Sequence, residues 1–325
     1  MLELIQKVAV GILLSLFASA LVAQSRLEKF SEARETIQSD TILRADGTLE
    51  VVQVSKATVR FKVIPDTGFF YTVTPAASIV QSAFRNWVEG GTNALAWSLG
   101  LDVATRFQTR KLIWRNDFVG RFGQTKNEGQ TVRKTVDNFE IISQLRYNLV
   151  RSNVFYPQLS MTLRSQFAAG FDYTRPDEPQ ISAFFDPAYA VQSLGVFYEE
   201  PSRTFNVSMG FAFRQIITRQ FTSFSDRPET PEIERVNFTT GIEIKSSLTI
   251  DFNDRTRYQS RVQLFSSFEK LGTWDVNFRN TLSMKLLESL QIQFLFALVY
   301  QEQISPKVQL SQTLELAFRY RITNN

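Results

Sequence analysis

The 325-residue chain contains neither cysteine nor histidine. The first absence excludes disulfides, a thiolate nucleophile, cysteine-held metals and a cysteine-linked lipid at the N-terminus. The second removes the commonest general base and the commonest transition-metal ligand. Charge of one sign is not in large excess either: 36 Lys and Arg stand against 32 Asp and Glu, a net +4. The pI near 9.2 is therefore a weak pointer to a polyanionic partner. Long apolar runs are missing, with one exception. Residues 8–17 follow Lys7 and precede Ala18, Ser19, Ala20 and Ala23, the pattern of a secretory signal peptide cleaved after Ala20 or Ala23. Read as a membrane anchor instead, the run is short for a spanning helix.

What the chain has in abundance is alternation. Val236, Phe238, Thr240, Ile242, Ile244, Ser246, Leu248, Ile250 and Phe252 fall in one row, and Asn237, Thr239, Gly241, Glu243, Lys245, Ser247, Thr249 and Asp251 in the other. Successive strand side chains point to opposite faces, so a period of two over this length means a two-sided strand, not a helix. The pattern recurs from Asn93 to Ile322, and in the ten strands whose register is legible the apolar row carries no charge. Twelve strands are expected, at 79–88, 93–107, 112–122, 138–149, 155–173, 188–199, 204–217, 236–252, 257–268, 273–286, 290–301 and 308–322. The domain reading is then a signal peptide at 1–23, a periplasmic leader or linker at 24–77 and a barrel at 78–325. Residues 57–64 (ATVRFKVI) suit one short strand in the leader.

Alternation alone would also suit a soluble sandwich with an apolar core. The connections favour a barrel with its apolar face outward. Those after even-numbered strands are short, while 123–137, 174–187 and 218–235 are long and polar, as when a barrel has short periplasmic turns and longer outside loops. Aromatic residues fall near both strand ends: Trp97, Phe122, Phe139, Tyr173, Phe238, Phe268, Trp274 and Tyr300 at the loop end, and Phe107, Trp114, Tyr147, Phe205, Phe252, Tyr258, Phe318 and Tyr320 at the turn end. Aromatic rings settle at the two water interfaces of a bilayer. The expected fold is all-β, a transmembrane antiparallel up-and-down barrel of about twelve strands in the bacterial outer membrane, with lipid as its surroundings.

On that reading the polar row lines a lumen. Arg106, Arg115, Arg121, Arg146, Arg164, Arg214, Lys245, Arg257, Arg261, Arg279, Lys285, Arg319 and Arg321 point inward against Asp102, Asp117, Glu140, Asp172, Glu243, Asp251, Asp275 and Glu315, thirteen cations to eight carboxylates. The candidate lining residues are Arg115, Asp117, Arg146, Arg164, Arg214, Glu243, Lys245, Arg261, Arg279 and Glu315. In a narrow lumen such charges either pair into a filled interior or leave a basic constriction that favours anions. Catalysis finds no support. Hydrolase triads of the familiar kind need the missing histidine, Lys245 and Lys285 lack a distinctive serine spacing, and carboxylates such as Asp102 and Asp117 suit arginine partners. No catalytic residue, cofactor or metal is expected. Gly90 and Gly91 suit a tight turn between strands, not a phosphate loop. Arginine and aromatic residues occupy opposite rows, which argues against a stacking platform for nucleic acid.

Residues 86–93 (NWVEGGTN) resemble the start of the barrel in an uncharacterised domain-of-unknown-function family of outer-membrane β-barrel proteins from Bacteroidota. Further matching motifs are Trp114-Arg115-Asn116, Phe122-Gly123, Lys134-Thr135-Val136-Asp137, Ser165-Gln166-Phe167, Gly170-Phe171, residues 181–189 (ISAFFDPAY) and Ser193-Leu194-Gly195. The resemblance spans about 78–322, strongest before Gly195. It implies a location and a fold but no substrate and no site residue. Function is expected to be a passive pore or a small-solute transporter that favours anions. The alternative is a closed structural or interaction barrel that binds a protein partner, of unknown identity, through its outside loops or its N-terminal segment.

Overall fold

The computed structural model describes residues 37–43, 49–55, 67–83, 92–149, 154–200, 202–227, 230–302 and 305–324. The expected signal peptide and the expected strand at 57–64 lie outside them. Two compact units, Met1–Pro65 and Asp66–Asn325, make up the chain. The first contains an antiparallel pair, β1 (Ile37–Leu43) and β2 (Leu49–Ser55), in register from Ile37↔Ser55 to Leu43↔Leu49. That pair falls inside the stretch read as an aperiodic leader. Its sequence signal is Asp46-Gly47 between the strands, a dipeptide favoured in hairpin connections.

The second unit is a closed antiparallel barrel of twelve strands, as the alternation predicts. They are β3 (Gly68–Ser82), β4 (Ala94–Gln108), β5 (Leu112–Asn127), β6 (Arg133–Tyr147) and β7 (Phe155–Ser165). After a loop holding the short pair β8 (Gly170–Phe171) and β9 (Gln180–Ser182), the wall resumes with β10 (Ala188–Glu199), β11 (Phe205–Ile217), β12 (Val236–Asp251) and β13 (Thr256–Ser267). It ends with β14 (Asp275–Lys285), β15 (Leu290–Gln301) and β16 (Ser305–Arg319). Each wall strand pairs with its predecessor, and β16 with its extension β17 (Ile322–Thr323) returns to β3 to close the ring.

Five strand limits differ from expectation. The first wall strand begins at Gly68, not Ile79, because Pro75 masks a run of β-formers from Phe69 to Thr74. Pro75 sits where the closing ladder is interrupted, between Ala76↔Arg319 and Val73↔Ile322, so its missing N–H removes no pair there. The supposed long loop at 123–137 is mostly wall: β5 runs to Asn127 and β6 starts at Arg133. The fifth strand stops at Ser165, eight residues short of the expected 173, and the loop at 166–187 replaces it. The last strand is interrupted at Tyr320 and Arg321 and resumes at Ile322.

The two faces separate as the rows require. Leu99, Leu159, Leu194, Met209, Phe211, Leu314 and Phe318 are exposed on the outer face, while Arg146, Gln158, Ser160, Thr162, Ser208, Arg214 and Glu243 are buried within. On β10, β11 and β12 the inner row carries Gly195, Gly210 and Gly241. A Cβ at Gly195 or Gly210 would overlap the neighbouring strand's backbone, so only glycine permits the approach of β10 and β11 at Gly195↔Gly210.

Candidate functional site in the barrel lumen

The inward charges are interlocked by short side-chain contacts. On β5, Arg115 forks onto Asp117 with Nε–Oδ2 at 2.8 Å and a second bond at 3.0 Å, the bidentate geometry that guanidinium favours. On β12, Lys245 lies 2.8 Å from Glu243, whose other oxygen accepts Gln263 Nε2 at 2.7 Å. The Glu243 side chain is 1% exposed, and a carboxylate that deep is tolerable only when paired and hydrogen-bonded. Lys245 Nζ also donates to Ser160 on β7 at 3.0 Å, reaching past β11 and β10 above the glycine row. Arg214 pairs with Asp275 and stacks over Phe265, 4.1 Å from its centroid.

Arg146 is held without a carboxylate. Its Nε donates to Gln158 at 3.1 Å, a second nitrogen to Gln144 at 2.6 Å, and the guanidinium lies 3.5 Å from the centroid of Phe197. These contacts orient the cation and leave its charge uncancelled. Arg106 likewise lies over Phe70 at 4.8 Å. The expectation that arginine and aromatic residues stay on opposite faces is thus corrected: Phe70, Phe197 and Phe265 turn inward in the polar row.

Glu140 on β6 occupies the middle of the lumen. Its two oxygens approach Arg164 Nε at 3.8 Å and Arg279 Nη1 at 3.6 Å. Arg164 is its neighbour in the β6–β7 ladder. Arg279 stands on β14, six strands away in either direction round the ring, so this ion pair crosses the full lumen. Both distances exceed hydrogen-bond length, which makes the bridge weaker than the pairs along the wall.

The Glu140 bridge lies between two cavities that share Glu140 and Arg279. The inner one, about 160 Å³, is lined by Arg115, Arg146, Lys245, Arg261 and Arg279 with the carboxylates Asp117 and Glu140. A single water needs ~10–15 Å³ on this measure, so a small hydrated ion fits. Arg261 faces Arg279 directly across the β13–β14 ladder, a like-charge pairing that destabilises a sheet unless an anion sits between. The outer cavity, about 360 Å³, is bounded by Arg164, Tyr189, Phe224, Val299 and Gln309 and by Ile181, Ser182 and Pro187 of the 166–187 loop. Asp137 ties that loop down: Oδ1 accepts Phe167 N at 2.7 Å, and Oδ2 accepts Ala168 N at 2.9 Å and Lys134 Nζ at 2.8 Å. Phe167 in turn packs on Phe139, with centroids 5.0 Å apart.

Of the ten candidate lining residues, Arg115, Asp117, Arg146, Lys245, Arg261 and Arg279 meet around the inner cavity, and Arg164 lines the outer one. Glu243 and Arg214 sit in the wall network, while Glu315 stands apart on β16, opposite Gln293. Asp172 leaves the lumen set. It lies in the loop, where the Thr174 hydroxyl and amide donate to its carboxylate at 2.6 and 3.0 Å and hold its pKa below the usual range. Glu140 was legible only as one inward carboxylate among eight; nothing in its neighbours marks it as the residue that spans the lumen. Among the described residues no cluster of acidic side chains has metal-binding geometry.

Residues 79–171 match a family described as a protein of unknown function (DUF3078). No curated protein sequence matches the chain. Among solved structures, the chain is similar to an outer-membrane channel from Pseudomonas putida F1 at 15% identity and TM-score 0.37, covering 82% of this chain and 98% of that one. It is also similar to the translocator domain of the autotransporter NalP from Neisseria meningitidis, at 11% identity and TM-score 0.36 over 78% and 89%. A third likeness is to the NanC porin, at 9% identity and TM-score 0.33 over 77% and 97%. Likeness at this level transfers no activity.

Proposed function

We propose that the protein is a non-catalytic channel of a Gram-negative outer membrane, of the kind resembled in Bacteroidota, which admits small solutes and favours anions. The outer face supports the membrane setting. Leu194 at 62%, Phe211 at 72% and Leu314 at 73% exposure belong to an apolar surface too extensive for an ordinary soluble monomer. The observation that carries the anion preference is the inner cavity, where five cations face two carboxylates and Arg261 stands opposite Arg279. Low-dielectric walls strengthen that surplus field and concentrate anions.

In a planar bilayer under a salt gradient, the purified barrel should conduct with an anion-selective reversal potential. The selectivity should fade with added salt, as the screening length falls from ~10 Å at 0.1 M to ~3 Å at 1 M. A cation-selective current would overturn the preference. The Glu140–Arg279 bridge favours one second reading, a closed barrel acting through its loops. A wild type that stays silent and conducts only after Glu140→Gln would establish that reading instead.

A further inference from the structure

Two contacts cross the lumen at the inner cavity. Glu140 on β6 reaches Arg279 on β14 at 3.6 Å, and Lys245 on β12 reaches Ser160 on β7 at 3.0 Å. Thr162 stands between them on β7, two residues past Ser160 and two short of Arg164, the ladder neighbour of Glu140. On the far side of the cavity, Arg261 faces Arg279 across one ladder and, across the other, Ser247, the next inward residue after Lys245. The two contacts thus bracket the space between Thr162 and Arg261, and both residues line the cavity.

Each of these two residues brings an unused donor. Thr162 is 3% exposed, and its hydroxyl makes no hydrogen bond. A buried polar group in that state is rare and calls for a missing partner. Arg261 is exposed to the lumen, and among the described residues no carboxylate, amide or ring meets its guanidinium.

The charges around the cavity select the partner. Of its five lining cations, Arg115 is matched by Asp117, Lys245 by Glu243 and Arg279 by Glu140. Arg146 lies on amides and a ring and Arg261 on nothing, so two positive charges stay unmatched. A guanidinium only donates, and the free hydroxyl has a proton to give, so the missing group must offer acceptor oxygens. The volume of about 160 Å³ has room for on the order of ten waters. A small tetrahedral ion with part of its hydration shell fills it.

We propose that the space between Thr162 and Arg261 is a binding site for one doubly charged tetrahedral oxyanion, of the sulfate or phosphate type, with Arg261 forking onto two oxygens and Thr162 donating to a third. This rests on the channel reading above and names its substrate class. The ion relieves the confrontation of Arg261 with Arg279 and gives the Thr162 hydroxyl its acceptor. Chloride has one charge and no pair of oxygens for the fork, so it crosses the same space without being retained.

Sulfate is the probe. Calorimetric titration into the purified barrel at constant ionic strength, which holds screening fixed, should show one saturable site per barrel. In a planar bilayer the same sulfate range should lower the chloride current along the same curve. Thr162→Val keeps the shape and removes the hydroxyl, and should weaken sulfate binding about tenfold, as for loss of a hydrogen bond to a charged group; Thr162→Ser should restore it. Arg261→Ala should abolish saturation, with heat-modifiable gel mobility showing that each variant is folded. An anion-selective chloride current without saturable sulfate binding, or saturation that neither variant changes, rejects the site and leaves the channel standing. Binding that leaves the chloride current untouched puts the ion outside the lumen and also rejects the site. Sulfate binding that both variants weaken, in a barrel that carries no current, keeps the site and rejects the channel reading instead. Glycerol phosphate tells the free ion from the head of a larger solute: equal affinity supports the site as a reader of the head, and a preference for sulfate supports it as a site for the free ion.

Discussion

The two walls of the lumen are built on opposite rules. From β5 round to β14, most inward cations are met by a carboxylate, an amide or a ring, while Arg261 faces Arg279, and side chains such as Arg146 at 7% and Glu243 at 2% exposure are sealed in. From β15 through β16 to β3, the inner row carries one carboxylate, Glu315, among mostly neutral side chains, and β16 meets β3 in only two ladder pairs. A strand pair is held by its cross-strand contacts as well as its backbone bonds. Charge interlocks one wall across several strands at once, as Lys245 does by reaching Ser160; on the other wall, among the described residues, such a tie is Arg319 reaching past β3 to Asp102 at 3.7 Å.

The sharpest way to break this contrast is to cut the charged wall at its most buried point. Lys245→Met strands Glu243 without its cation, and removing one partner of a buried pair costs ~3–5 kcal/mol. Val80→Ala on the other wall should stay within about 0.5 kcal/mol of wild type. Urea unfolding followed by heat-modifiable gel mobility gives both values, and equal losses would erase the distinction. A second measurement asks whether that other wall is truly two-sided. Phe294→Arg, on its outer face, should cost ~2–4 kcal/mol if that face meets the bilayer midplane, while Leu295→Arg, one residue on and turned inward, should cost clearly less in the same assay.

A gentler change sharpens the contrast from the other direction. Arg261→Ala relieves the like-charge confrontation with Arg279, so it should raise stability by ~0.2–1 kcal/mol while moving the reversal potential toward cations. A variant that loses both stability and selectivity would mean that the pair is bridged within the protein. The smallest effect belongs outside the wall. In the 218–235 loop, Glu234 accepts hydrogen bonds from the Thr230 hydroxyl at 2.5 Å and the Arg227 amide at 3.0 Å, which pull its pKa down to about 2. Because the folded value is depressed, its contribution is fully present above the ordinary value of 4.5 and fades as pH falls toward about 2. Cleavage of this loop by an acid protease should therefore rise over that window, with the wall strands untouched; Glu234→Gln should flatten the rise.

How much of this was legible in the sequence depends on the range of the interaction. The two faces of a strand are set by the two-residue period, which each strand carries within itself, and these were readable from Val236–Asp251 alone; strand number needed the whole run from Asn93 to Ile322, and the outward direction of the apolar row needed the loop lengths and the aromatic residues at both strand ends. Strand ends were less so, since Pro75 and the polar run at 123–137 look like breaks until their partners are known. Contacts across the lumen were not readable at all. No spacing links Glu140 to Arg279 or Arg214 to Asp275, because the curvature of the whole sheet brings them together. The inward Phe197 and Phe265 broke the rule that apolar means outward, and they did so where an arginine needed a ring to lie on.

The short closing seam also sets a timescale. Its contacts join residues about 250 positions apart, as in the bond from Tyr71 N to Asn324 at a separation of 253, whereas each earlier strand pair joins near neighbours in sequence. Distant pairings pay the largest loop-closure entropy and form late, so the sheet should be complete before its rim is joined. During that interval two bare edges are available to any other chain, the commonest route from β-protein to aggregate. Lengthening the seam would shorten the interval and make the barrel sturdier.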